Sequence, residues 1–122
     1  MDDDASVALE LDLSRLHAIG EHLGESAGAI ARTLYEELGR AMAELDAGLA
    51  AGDGEAAYRA VHAARNSALM ISATPMLAAL RALEAALGAG DRAGARDARE
   101  ALGGHWSRVE VALRGAAAQS AP

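Results

Sequence analysis

Two turns share the tripeptide Ala-Gly-Asp, at residues 51–53 and 89–91, and a Thr74-Pro75 pair lies between them. No other feature restricts the fold of this chain as much. A glycine after a helical stretch closes the helix in a left-handed conformation, and an aspartate beside it caps the next one. Thr74 before Pro75 has the same meaning, an N-cap residue with proline at the first helical position. Connections this short hold successive helices side by side and antiparallel.

The stretches between these turns carry apolar residues at steps of three and four, the period of a half-buried helix. A first short helix, SRLHAIGEHL, is capped by Asp12 or Ser14, turns Leu13, Leu16, Ile19 (or Gly20) and Leu23 inward, and ends at Gly24. The second runs from about Ser26 to Ala51, with Ala27, Ile30, Leu34, Leu38, Ala41 and Leu45 as its stripe. Asp53 caps the third, which buries Ala57, Val61, Ala64, Ala68 and Ile71 and ends near Ser72. The fourth presents Met76, Leu80, Leu83 and Leu87 and stops at Gly88-Ala-Gly90. Asp91 caps the last, with Ala95, Ala98, Leu102, Trp106, Val109 and Leu113 inward; Gly103-Gly104 interrupts it, as a kink or a point of close packing. The chain is 52% apolar but only 2% aromatic, and the apolar share is mostly alanine and leucine, strong helix formers. The expected class is all-α: an antiparallel up-down four-helix bundle with an additional short N-terminal helix.

At 122 residues the chain makes one domain with a single core. Residues 1–10 read as an acidic, flexible arm, 11–114 as the bundle and 115–122 as a flexible tail. There is no cysteine, so neither disulfides nor thiolate metal sites are available. No apolar run is long enough for a membrane span, and the acidic MDDDASVALELDL start is unlike a secretory signal, so a cytoplasmic location and no membrane partner are expected. A net charge of -7 argues against nucleic acid as a partner. A monomer is expected.

The chemistry-bearing stretch is Tyr58 to Glu84, YRAVHAARNSALMISATPMLAALRALE. His62 lies one position off the buried stripe of its helix, so the ring faces outward. Arg59 and Tyr58 lie on its N-terminal side, with Arg65 and Asn66 on the other, because residues three and four apart share a helix face. An exposed imidazole bracketed by two guanidinium groups suits an anionic cargo better than a metal. His17 and His22 do not share a face and His105 adjoins Trp106, so no metal site is assigned. Leu69 lies on the outward face beyond His62 and suits a docking surface.

These residues resemble the histidine-containing phosphotransfer family, whose helix motif reads roughly A-H-x-L-K-G-S, followed by Gly-Ala, a leucine-bearing helix and Leu-Glu. Val61-His62 stands for Ala-His, Arg65 for the lysine, Ser67 for the serine, Ser72-Ala73 for Gly-Ala, and Leu83-Glu84 closes the motif in register. Leu34 to Asp53 is similar to the preceding helix and turn, and the likeness runs from about Leu11 to Leu113. Two positions depart from it. Alanine at 64 replaces a larger apolar residue, and Asn66 replaces a glycine beside the ring, where a side chain either crowds an approaching partner or orients the imidazole.

The resemblance implies a phosphorelay protein. His62 would take a phosphoryl group from a receiver-domain aspartyl phosphate and pass it to a second receiver. Arg65 would stabilise the transferring oxygens, with Asn66 beside the ring and Tyr58, Arg59 and Leu69 binding the partner. A large fraction of histidine is neutral and nucleophilic at pH 7. The implied partners are a response regulator receiver domain and a hybrid sensor histidine kinase. The chain carries no nucleotide loop, so no cofactor of its own is expected, and magnesium belongs to the partner receiver. Two alternatives stand beside this one. One is a helical adaptor that docks on a receiver without accepting phosphate. The other is a dimeric histidine-kinase-like phosphoacceptor, since His62, Arg65 and Asn66 match three positions of His-Glu-x-Arg-Asn/Thr-Pro while Ala63 and Ser67 do not.

Overall fold

Each helix begins and ends where a local signal permits it. The structure, a computed structural model, describes residues 10–119. Five helices follow in order: α1 Ser14–Leu23, α2 Ala27–Ala51, α3 Gly54–Met70, α4 Thr74–Ala89 and α5 Arg92–Gln119. Ser26 caps α2 by accepting from the Ala29 N–H at 3.1 Å, and Asp53 caps α3 through the Ala56 N–H at 3.0 Å. Asp91 receives the Gly94 N–H at 2.9 Å at the start of α5. Both Ala-Gly-Asp turns place their glycine in the left-handed region, Gly52 and Gly90 each at φ 69. Capping thus satisfies orphan N–H groups at the starts of α2, α3 and α5, while glycine at Gly52 and Gly90 reverses the chain at no steric cost.

The four long helices close a ring in which α2 packs on α3, α3 on α4, α4 on α5 and α5 back on α2; α1 packs on α2. The all-α antiparallel bundle with a short helix in front is therefore the architecture. Its core is leucine and alanine: Leu34, Leu38 and Leu45 of α2, Val61 and Ala64 of α3, Leu80 and Leu83 of α4, and Leu102 and Leu113 of α5 are all buried. Full burial of a leucine contributes about 1.5–3 kcal/mol, whereas an alanine contributes mainly close approach. Helices α2 and α3 approach closely at Gly48 of α2, where a Cβ would meet the Ala57 backbone nitrogen of α3 at 2.8 Å.

Several boundaries differ from the sequence reading. The acidic arm does not extend to Glu10, which is buried, receives Arg108 Nε at 2.8 Å and lies 3.2 Å from His105 Nδ1. Leu11 beside it is buried, and the Asp12 N–H donates to the Ile71 carbonyl at 2.8 Å, so this segment is bound to α3 and α5. Residues 1–9, the rest of the expected arm, lie outside the described residues. Leu23, expected inward, is 56% exposed, because α1 buries only Leu16 and Gly20. The third helix ends at Met70, and Ser72 has φ 50, which reverses the chain before α4. Thr74 is the first residue of α4 and not its cap, since Ala73 precedes it without a side-chain bond. The expected tail from Gly115 is helical as far as Gln119, with Ala116 and Ala117 against the core; residues 120–122 lie outside the described residues. Gly103 and Gly104 sit within an unbroken α5, where a Cβ at either would meet only the side chain of Arg99 or Arg108. Among the described residues no helix is long and apolar enough to cross a membrane.

Candidate functional site

Helix α3 buries Ala57, Ala60, Val61, Ala64 and Ala68, which turns Tyr58, His62 and Arg65 onto one flank, facing α4. Their spacing of four and three puts them one above the other on adjacent turns. On α4 the buried Leu80 and Leu83 place Glu84 opposite that row. The carboxylate is the hub. His62 Nε2 lies 2.9 Å from Glu84 Oε2, and an Arg65 terminal nitrogen lies 2.7 Å from Glu84 Oε1. The Tyr58 ring lies beside the imidazole, with centroids 4.7 Å apart and the planes tilted at 50°.

The surroundings of the carboxylate set its ionisation. Partial burial acts to raise the Glu84 carboxyl, but the Tyr58 hydrogen bond and the charges of Arg65 and of protonated His62 outweigh it and hold the group below its ordinary value. The same contact works in reverse on Tyr58: the Glu84 hydrogen bond and negative charge push the phenol up. The His62 ring is held at its edge while its side chain remains 48% exposed, against 20% for Glu84.

The structure thus brings together His62, Arg65 and Tyr58, and it separates the others. Arg59, one turn before His62, makes an exposed pair with Glu55 at 3.5 Å. Arg65 is nearer the ring through their shared partner, and its Nε is buried with no hydrogen-bond partner among the described residues. Asn66 is exposed, and among the described residues no hydrogen bond joins it to the ring. Leu69 is exposed, as expected, and Met70 beside it is exposed too. With Tyr58 they give the histidine helix three large exposed apolar side chains. Glu84 is the residue that reasoning from the histidine helix missed as a participant. It was visible as the second member of the Leu83-Glu84 pair, but spacing within one helix does not reveal a contact with the next.

Chemically the cluster offers an exposed imidazole with a carboxylate at its edge, a cation on the same carboxylate and an apolar rim. No group of three potential metal ligands occurs among the described residues. A groove of about 660 Å³ lies at the bundle end where the two Ala-Gly-Asp turns meet, lined by Leu49, Leu87, Arg92, Arg96 and Arg99, and none of the cluster residues borders it. The chain matches no protein-family model, no curated protein and no solved structure.

Proposed function

We propose that this chain is a phosphoryl carrier of the histidine phosphotransfer type, with His62 as the acceptor of a phosphoryl group from a receiver-domain aspartate. The observation that carries the reading is an exposed imidazole on a bundle helix with a carboxylate 2.9 Å from its Nε2 and an arginine on the same carboxylate. A neutral ring has a lone pair ready for attack, and the carboxylate stabilises the positive charge that develops. Arg65 lies close enough to shift from Glu84 toward an incoming phosphoryl oxygen, which is electrostatic stabilisation at the developing charge. Tyr58, Leu69 and Met70 supply apolar area for a receiver to dock, and magnesium would arrive in that receiver's own pocket. Ser72 also supports the register of the resemblance. It stands where the family has glycine, and it adopts the positive φ that glycine adopts most easily.

The deciding experiment incubates the chain with a phosphorylated receiver and reads its intact mass in alkaline conditions that preserve phosphohistidine. His62→Gln removes uptake while His17→Gln, His22→Gln and His105→Gln retain it. Arg65→Ala slows transfer without abolishing it, by on the order of 2.7–4 kcal/mol at most. Uptake that survives in His62→Gln refutes the assignment. A docking adaptor is the second reading, favoured by the Glu84 contact on Nε2. It predicts receiver binding with no mass gain in any variant.

A further inference from the structure

We propose that the groove at the bundle end, between the two Ala-Gly-Asp turns, binds a small aliphatic carboxylate, with Arg92 and Arg96 on its head and the leucines of α2 and α4 on its chain. The groove holds about 660 Å³. Small-molecule sites range over roughly 300–1,000 Å³, so the space suits a compact organic ligand. It exists because Ala51, Gly52, Ala86 and Gly90 bring no side chain longer than a methyl group to its walls. Leu49 and Leu87 pack on the core but are only partly buried, and they give the groove its apolar lining.

The charged side comes from α5. Arg92, Arg96 and Arg99 follow at steps of four and three, so they share one face of that helix, and all three border the groove. Arg99 already grips a carboxylate. Its Nε donates to Asp46 Oδ1 at 2.7 Å and a terminal nitrogen donates to Oδ2 at 2.9 Å, the two-pronged contact that a planar guanidinium offers. Arg92 and Arg96 have no acidic partner among the described residues. Asp91, which also borders the groove, spends one oxygen on the Gly94 N–H as the cap of α5. A chain of net charge -7 thus sets two unpaired cations beside an apolar groove. A carboxylate on an alkyl body answers both, with charge-assisted N–H···O bonds at the head and apolar surface removed from water along the chain. Among the described residues no aromatic side chain lines the groove, so stacking is not on offer and an alkyl chain fits it better than a ring. No residue of the His62 cluster borders it, so the proposal is independent of the phosphoryl-carrier reading.

Amide NMR titrations of the full chain with octanoate, 1-octanol and acetate test this, since the three probes separate head from chain. Octanoate should shift the amides of Leu49, Leu87 and Ala95 along a saturable curve. Octanol, which lacks the charge, and acetate, which lacks the chain, should each bind at least tenfold more weakly. Arg92→Ala combined with Arg96→Ala should lower octanoate affinity about tenfold or more, the scale of a charge-assisted hydrogen bond, and leave octanol unchanged. Ala51→Leu, at the exposed last residue of α2, should fill the groove and weaken octanoate with the arginines intact. Leucine is a good helix former, and circular dichroism checks that every variant keeps its helices. Three results overturn the proposal: no saturable shift at the groove amides, octanol or acetate binding as tightly as octanoate, or an arginine double variant with the affinity of the parent. Each leaves the assignment of His62 untouched.

Discussion

Replacing Gly48 with alanine sets two opposed effects on a single methyl group. Within a helix, alanine is favoured over glycine by about 1 kcal/mol, because glycine loses more backbone freedom on folding. Against that, the new Cβ would lie 2.8 Å from the Ala57 nitrogen, 3.2 Å from its Cα and 3.3 Å from its Cβ. Two of these atoms belong to the α3 backbone, and Ala57 is fully buried, so no flexible side-chain end can yield. Helices α2 and α3 must part by several tenths of an ångström along their closest contact. Overpacking of this kind costs about 1–3 kcal/mol. The clash wins, and the net loss is about 0–2 kcal/mol.

A control on the same helix isolates the clash. At Gly39 a Cβ meets nothing within 4 Å, so Gly39→Ala gains the propensity term alone, about 1 kcal/mol. The two variants should therefore differ by about 1–3 kcal/mol. With a urea slope of roughly 1–3 kcal/mol/M for a chain of this size, their denaturation midpoints should separate by about 1 M. Equal slopes would show that the native packing, and not the unfolded chain, has changed. If Gly48→Ala is as stable as Gly39→Ala, the close contact between α2 and α3 does not limit the bundle and the reasoning fails. The contact also bears on the site, because Ala57 immediately precedes Tyr58 and any displacement there moves the ring that lies beside His62.

Ser72→Gly should stabilise the fold by about 0.5–1 kcal/mol in urea denaturation, since a side chain at φ 50 costs about 1–2 kcal/mol and glycine returns part of that in chain entropy; a loss of stability would show the turn to be unstrained. The Asp46 carboxyl is held below its ordinary value by its hydrogen bond to Arg99, which outweighs the opposing effect of burial, with a smaller contribution from the arginine charge. Its contribution is therefore complete above the unfolded value near 3.9 and lost as pH falls through the lower folded value. Because Asp46 is half exposed the pair contributes no more than about 1 kcal/mol, so urea midpoints of parent and Asp46→Asn should differ slightly at pH 7 and converge below about pH 4. Asn66→Gly should speed single-turnover transfer from a phosphorylated receiver, because the asparagine is exposed and makes no bond to the ring, at a stability cost of up to about 1 kcal/mol; slower transfer would mean that Asn66 orients the imidazole.

The bundle was legible because its information is local. Apolar residues at three- and four-residue steps identify the inner face of a helix without reference to any other helix, and so Leu34, Leu38 and Leu45, or Ala57, Val61 and Ala64, are buried as the pattern requires. The turns are equally local, since Gly52-Asp53 and Gly90-Asp91 act through their own backbone and side chains. What failed at the edges failed where a distant group decides. Leu23 continues the stripe of α1, but that helix is too short to carry it over a neighbour. Glu10 looks like part of an acidic arm until Arg108 and His105, on the last helix, supply its partners.

The site shows the same division, with a consequence for how its chemistry is read. Helical spacing places His62 outward and puts Tyr58 and Arg65 in line with it, which is information α3 holds by itself. It also put Arg59 on this face, where the guanidinium makes an exposed pair with Glu55 at 3.5 Å. Charge alone therefore drew a cationic pocket around an imidazole. The packing of α4 against α3 replaces it with a carboxylate-centred cluster, because Leu80 and Leu83 fix the rotation of α4 and so bring Glu84 to His62. The difference reverses the electrostatics at the ring edge. A cationic surround would attract an anion to either nitrogen, while Glu84 sets a negative charge 2.9 Å from Nε2. The packing of one leucine pair on α4 sets that placement.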